Sequence, residues 1–236
     1  MPGQRMLAEL DELEGDLARL AERVESAVAG AVRAVLTGDA AEATRVAAGD
    51  DEVDRLENRV TAECRRILTL FQPVAVDHRR VTATLQATAD LERIGDLAVG
   101  IAERVTALTS LPASPTPANM QEMAGQVLEQ VRGAVAAYRD GDARQALRVR
   151  QARAVVANLR TGVVRDLVAA MRANPDAVEP GLCLFEVAGH LERIAGHAAN
   201  LAEGAVFVAE GRDIRHHWDE PSAETSAAVT CGASGR

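Results

Sequence analysis

Apolar residues recur at three- and four-residue steps along most of this chain, the period of a helix with one buried face. The two-residue alternation of a half-buried strand is nearly absent. Leu10, Leu13, Leu17, Leu20, Val24, Val28 and Ala31 mark a first helix from about Gln4 to Leu36. Gly38 stops it, and Asp39 is placed to cap the next one. The second helix carries Val46, Val53, Val60 and Ile67 at strict seven-residue spacing, which is a bundle seam, and it closes at Pro73. A third begins near Asp77 and puts Ala87, Leu91, Ile94, Ala98, Ile101, Val105 and Leu108 on one stripe. Prolines 112, 115 and 117 then break the helical pattern. Three more helices are predicted at 118–139, 142–173 and 178–210, with breaks at Gly141 and from Asn174 to Pro180.

The second set repeats the first. Leu-Glu-Arg-Ile-Gly-Asp-Leu-Ala at 91–98 returns as Leu-Glu-Arg-Ile-Ala-Gly-His-Ala at 191–198, and Gly38-Asp39-Ala40 with Ala43 and Val46 returns as Gly141-Asp142-Ala143 with Ala146 and Val149. Repetition on this scale predicts an all-α protein of two tandem homologous three-helix bundles, six long helices running up-down-up in each lobe. The first bundle covers 1–109, a proline-rich linker 110–117, and the second bundle 118–211. The tail 212–236, with Arg-His-His-Trp at 215–218, has too little apolar content to pack and is expected to be disordered.

Composition narrows the classes. Apolar residues make up 47% of the chain but aromatics only 2%, so the core must be built from Ala, Val, Leu and Ile. The formal charge of −9 argues against sequence-independent binding to nucleic acid, which depends on phosphate neutralisation. Every cation among the 26 is Arg. No run approaches the ~18 apolar residues that suggest a membrane span. Glu9, Asp11, Glu12 and Glu14 are wrong for a signal peptide. Cys64, Cys183 and Cys231 show no Cys-x-x-Cys spacing, which points to a reducing cytoplasm and to small core residues at 64 and 183. Neither a Gly-rich phosphate loop nor a Gly-x-Ser-x-Gly elbow occurs, and no Cys/His pair suggests a nucleophile, so the expectation is a protein that is not an enzyme.

The candidate chemistry is carboxylate. Glu92, Asp96 and Glu103 share the helix face opposite the Leu91/Ile94/Ile101/Val105 stripe, which makes them solvent-accessible. Asp50, Asp54 and Glu57 form a second acidic row beside the Val46/Val53/Val60 seam. Like charges four residues apart repel by a few tenths of a kcal/mol, roughly, so two such rows favour a neutralising cation. All-oxygen donors suit Mg²⁺, Mn²⁺ or iron. A plain solvated face is the competing explanation.

Asp90-Leu-Glu-Arg-Ile-Gly-Asp96, its echo at 190–196, Gln72-Pro73-Val74-Ala75-x-Asp77-x-Arg79, Gly49-Asp-Asp-Glu-Val-Asp54 and Asn200-Leu-Ala-Glu203 together resemble the PhoU phosphate-signalling regulators, from about Leu7 to Arg215. The resemblance implies paired three-helix bundles whose acidic motifs bind multinuclear iron or zinc. It implies a negative regulator of phosphate uptake and phosphate-starvation signalling, a non-catalytic adaptor between a phosphate ABC transporter and a sensor histidine kinase. Membrane association would come only through these partners, no nucleic acid is involved, and a homodimer is allowed. The alternative is a metal-binding bundle that stores metal or uses it for hydrolysis.

By resemblance the first-lobe metal motifs map to Asp50 with Asp54 and Glu92 with Asp96, with Glu57 and Glu103 as further candidates. The second lobe departs from the pattern, because Arg153 and Ala157 stand where Asp50 and Asp54 stand and Gly196 replaces Asp96. Glu192, His197 and Glu203 are what remains of a degenerate site. His197 and Asn200 either complete it with Glu192 or serve as helix-surface or interlobe hydrogen-bonding groups.

Overall fold

The computed structural model describes residues 2–113 and 116–214, so the predicted disordered tail beyond 214 lies outside the described residues. Among the described residues the regular structure is helical throughout. The elements are α1 (Pro2–Thr37), α2 (Ala40–Ala48), α3 (Asp50–Phe71), α4 (Ala75–Leu108), α5 (Ala118–Asp140), α6 (Ala143–Ala173), a 3₁₀ turn (Pro175–Ala177) and α7 (Val178–Glu210). These are the six long helices expected, with the second interrupted.

The interruption is at Gly49, which the uniform heptad Val46/Val53/Val60 hid. Gly49 N–H donates to the Val46 carbonyl at 3.1 Å, a tightened last turn. Asp50, Asp51 and Glu52 then place three negative charges on the first turn of α3, where the helix dipole favours them. The second lobe has Ala152 at that position, and α6 runs through without a break.

The other boundaries follow from caps shared by the repeats. Gly38 (φ 70°) and Gly141 (φ 62°) reverse the chain in the left-handed region. Asp39 then accepts from Ala41 N at 2.9 Å and Glu42 N at 3.1 Å, and Asp142 accepts from Gln145 N at 2.9 Å. The helix expected from Asp77 starts earlier, at Ala75, because Val74 is already extended and Pro73 is behind it. Gln72 (φ 47°) and Ala75 (φ 50°) occupy the left-handed region without being glycine, so this turn is strained.

The core is aliphatic, as the composition requires. Val24, Val28, Val60, Leu91, Ile94 and Ile101 in one lobe and Met123, Val127, Val156, Val163, Leu191 and Ile194 in the other belong to one continuous buried cluster. Equivalent glycines seat equivalent valines. A Cβ on Gly30 would come 2.7 Å from Val46 Cγ2, and one on Gly133 would come 2.8 Å from Val149 Cγ2. Each lobe therefore packs its second helix against its first through the same notch.

The lobes meet through α4 on α7 and α1 on α5. Arg104 Nε lies 3.2 Å from Glu186, Arg132 Nε donates to Glu25 at 2.8 Å, and Asn200 donates to Asp90 at 3.1 Å. The repeat makes a pseudo-twofold out of these contacts. Asp90 meets Asn200, and at the equivalent crossing His190 lies over Gly100, where a Cβ would come 3.2 Å from the ring.

Candidate functional site

Helix α4 presents Glu92, Asp96 and Glu103 outward because its other face is occupied by Leu91, Ile94 and Ile101, each at most 1% exposed. Helix α3 brings Asp50, Asp54 and Glu57 to the adjoining wall because Val53 and Val60 face the core. The approach is close: a Cβ on Gly95 would lie 3.2 Å from Val53 Cγ1. The expected acidic groove between two neighbouring helices of the first lobe is therefore present.

Its electrostatics are those of crowded anions. Burial pushes the Asp50 carboxyl up, and Asp54, Asp96, Asp51 and Glu103 push it further. Burial likewise raises Glu92, with Asp96, Glu57 and Asp54 adding to the effect and Arg93 opposing it. Arg93 is the local counter-charge, 3.4 Å from Glu92 and 3.5 Å from Asp96. Glu57 accepts from Thr61 Oγ1 at 3.0 Å. Among the described residues no three His, Cys, Asp or Glu side chains are gathered closely enough to hold one metal ion. The donor set of the first lobe fits a hard cation in charge and chemistry, since every donor is a carboxylate oxygen in a site that repels itself. The side chains would have to close inward to ligate.

The second lobe is a different site. Arg160, standing where Glu57 stands, places Nε 3.2 Å from Glu192 and lies 5.6 Å from the Phe185 ring centre. Glu203 is buried and pairs with Arg150 Nε at 2.9 Å. His197 Nδ1 lies 2.8 Å from Asp90 in the first lobe. The structure does not bring Glu192, His197 and Glu203 together, and each is committed to a different partner. A cation there would compete with two guanidinium groups. His197 and Asn200 are interlobe groups, both on Asp90.

Arg150 and Arg160 are the site residues that sequence reading passed over. The offset that aligns Gly38 with Gly141 aligns Glu57 with Arg160, so the signal for one was present. Arg150 had none, because its repeat equivalent is Ala47. His190 is half-buried over Gly100; burial, then Arg193, pushes its imidazole pKa down. Tyr138 is the other group revealed only by the fold. It lines an apolar interlobe cavity of about 160 Å³ with Leu17, Ala21, Leu91, Val135 and Leu201, and its hydroxyl is 3.4 Å from that of Thr84. Among the described residues no helix is long and apolar enough to cross a membrane.

Comparison with known proteins agrees with this architecture. The family model described as PhoU domain matches residues 17–105 and again 120–205. The phosphate-specific transport system accessory protein PhoU homologue of Pseudomonas putida is 33% identical over 214 residues, covering 90% of this chain and 84% of that protein. The crystal structure of PhoU from Pseudomonas aeruginosa superposes with a TM-score of 0.84 at 32% identity, covering 87% of this chain and 99% of that one. The phosphate transport system regulatory protein PhoU from Streptococcus pneumoniae shares the fold, with a TM-score of 0.80 at 24% identity over 88% of this chain and 98% of that one.

Proposed function

The chain belongs to the PhoU family, and from that premise we propose that it is an accessory protein of a phosphate-specific transport system. In this reading it restrains phosphate uptake and starvation signalling in phosphate-replete cells. It acts in the cytoplasm as a non-catalytic adaptor between the transporter and a sensor histidine kinase. The observation that carries the reading is the match of both lobes over 90% of the chain to relatives that bear the accessory-protein name. Its chemistry is that of a binding protein, with long helices offering charged surfaces and most buried groups being aliphatic.

The first-lobe groove is the place proposed for metal. Asp50, Asp54, Glu92 and Asp96 would hold it, with Glu57 and Glu103 at the margin, and the cation would supply positive charge that orders a self-repelling surface. Family resemblance favours iron or zinc, while oxygen-only donors equally suit Mn²⁺ or Mg²⁺. The second lobe is proposed to bind none, because Arg150 and Arg160 already neutralise its carboxylates. Deleting the gene tests the regulatory role. Phosphate-regulon expression and phosphate uptake should both rise in replete medium and return on complementation. Unchanged expression and uptake in a strain lacking any second homologue would overturn the assignment.

A further inference from the structure

The repeat supplies an internal control for the cavity beside Tyr138. The pseudo-twofold builds the lobe junction twice, once on each side of the α4–α7 contact. On one side Val35, Met120 and Leu184 are all buried, and three apolar side chains complete the packing. On the other side the equivalent positions carry Tyr138, Leu17 and Thr84, and a cavity of about 160 Å³ remains among them. Two hydroxyl groups therefore stand where the repeat itself uses valine and leucine. A core that needed only to be filled had the apolar solution available, and the second side of the junction uses it.

The two hydroxyls are placed but poorly satisfied. The Tyr138 ring rests against α7 at Gly204, where a Cβ would lie 3.5 Å from ring carbon Cε2. Thr84 is buried on α4. Their oxygens are 3.4 Å apart, beyond the ~3.0 Å of a good O–H···O bond, so each hydroxyl retains hydrogen-bonding capacity that the other does not use. Around them the wall is aliphatic: Leu17 and Ala21 from α1, Leu91 from α4, Val135 from α5 and Leu201 from α7. We infer that this cavity is a binding site for a small neutral molecule of the phenol class, an apolar body with one hydroxyl, whose oxygen sits between the Thr84 and Tyr138 hydroxyls. Burial pushes the Tyr138 phenol up, so its proton stays available for donation to that oxygen.

Size and charge define the class. A cavity of ~150 Å³ with an apolar lining holds a benzene ring, so one ring with a single oxygen is the right scale here. The mouth selects against an anion. Glu14 and Glu22 stand there, Arg80 Nε already donates to Glu14 at 3.0 Å, and Arg139 Nε donates to Asp140 at 2.8 Å. A water molecule could bridge the two hydroxyls, but it would leave the leucine wall uncovered. Because α1 and α4 belong to one lobe and α5 and α7 to the other, an occupant touches both lobes and ties them together.

The test is calorimetric titration of the full chain with phenol and with benzene, which has the ring without the hydroxyl. Three proteins are compared, each confirmed folded by circular dichroism: wild type, the near-isosteric pair Tyr138→Phe with Thr84→Val, and Thr84→Leu, which installs the residue the repeat uses. Wild type should bind phenol with a dissociation constant on the order of 0.1–1 mM, the range open to so small a ligand. Removing the two hydroxyls should lower the ratio of phenol to benzene affinity about tenfold, because only phenol loses hydrogen bonds. Thr84→Leu puts bulk into the cavity and should weaken both ligands. A wild type that takes up no phenol at concentrations up to ~10 mM overturns the inference. So does an affinity ratio unchanged in the hydroxyl-free pair, or phenol binding undiminished in Thr84→Leu. These titrations read binding alone, so the proposed regulatory role stands or falls separately.

Discussion

The same substitution made at the same position of the two repeats should change stability in opposite directions. Glu92 and Glu192 are the motif glutamates, 27% and 40% exposed at the side chain. In metal-free protein at neutral pH, Glu92 faces Asp96, Glu57 and Asp54 with Arg93 as its opposing charge. Each like-charge pair costs about 0.2–0.5 kcal/mol, and Arg93 offsets about one of them. Glu92→Gln should therefore stabilise by roughly 0.5 kcal/mol. Glu192→Gln removes an exposed pair with Arg160, worth roughly 0.2–1 kcal/mol, and should destabilise by about that much. The expected separation of about 1 kcal/mol corresponds to ~0.5 M between urea midpoints at a slope of ~2 kcal/mol/M.

The pH dependence provides an internal control. Asp50 and Glu92 are raised, so the native state binds their protons more tightly than the unfolded chain does. Their contribution to stability is present at low pH and is lost as pH rises through the window between the ordinary carboxylate value and the raised one. Glu92→Gln should flatten that loss, and its advantage over wild type should vanish towards the acid end. Two variants shifting the midpoint in the same direction, or a Glu92→Gln effect that persists unchanged in acid, would refute the electrostatic reasoning.

Three further outcomes are expected. Glu92→Ala with Asp96→Ala should remove most metal retained by purified protein, while Glu192→Ala should change it little; elemental analysis of folded variants decides, and equal losses would mean that the second lobe contributes ligands. Gly30→Ala and Gly133→Ala should each destabilise by about 1–3 kcal/mol, because a methyl group there overlaps Val46 or Val149, and thermal unfolding should show both losses. Gln130 is 3% exposed, and neither its amide nitrogen nor its oxygen has a hydrogen-bond partner among the described residues. Gln130→Met should therefore raise stability by about 1–3 kcal/mol in denaturant titration, and a loss would show that the amide is satisfied by buried water.

Much of the architecture was legible because helical periodicity and the repeat are local, redundant signals. Val46, Val53 and Val60 announced a buried seam, and the matching Gly-Asp pairs announced equivalent caps. The break at Gly49 escaped because apolar spacing continues across it, and the heptad is insensitive to one tightened turn. The first-lobe carboxylates were found from their spacing, since residues four apart on a helix must share a face. What the spacing left open was the partner of each charge. Glu203 and Arg150 stand on different helices, as do Glu192 and Arg160, and His197 reaches Asp90 in the other lobe. An ion pair between elements depends on how the helices cross, and that crossing is set by the summed packing of the core. From the sequence alone, then, come the helices, the two lobes and the first lobe's acidic rows. Tertiary structure alone decided that the second lobe's carboxylates are already neutralised by arginines on the neighbouring helix.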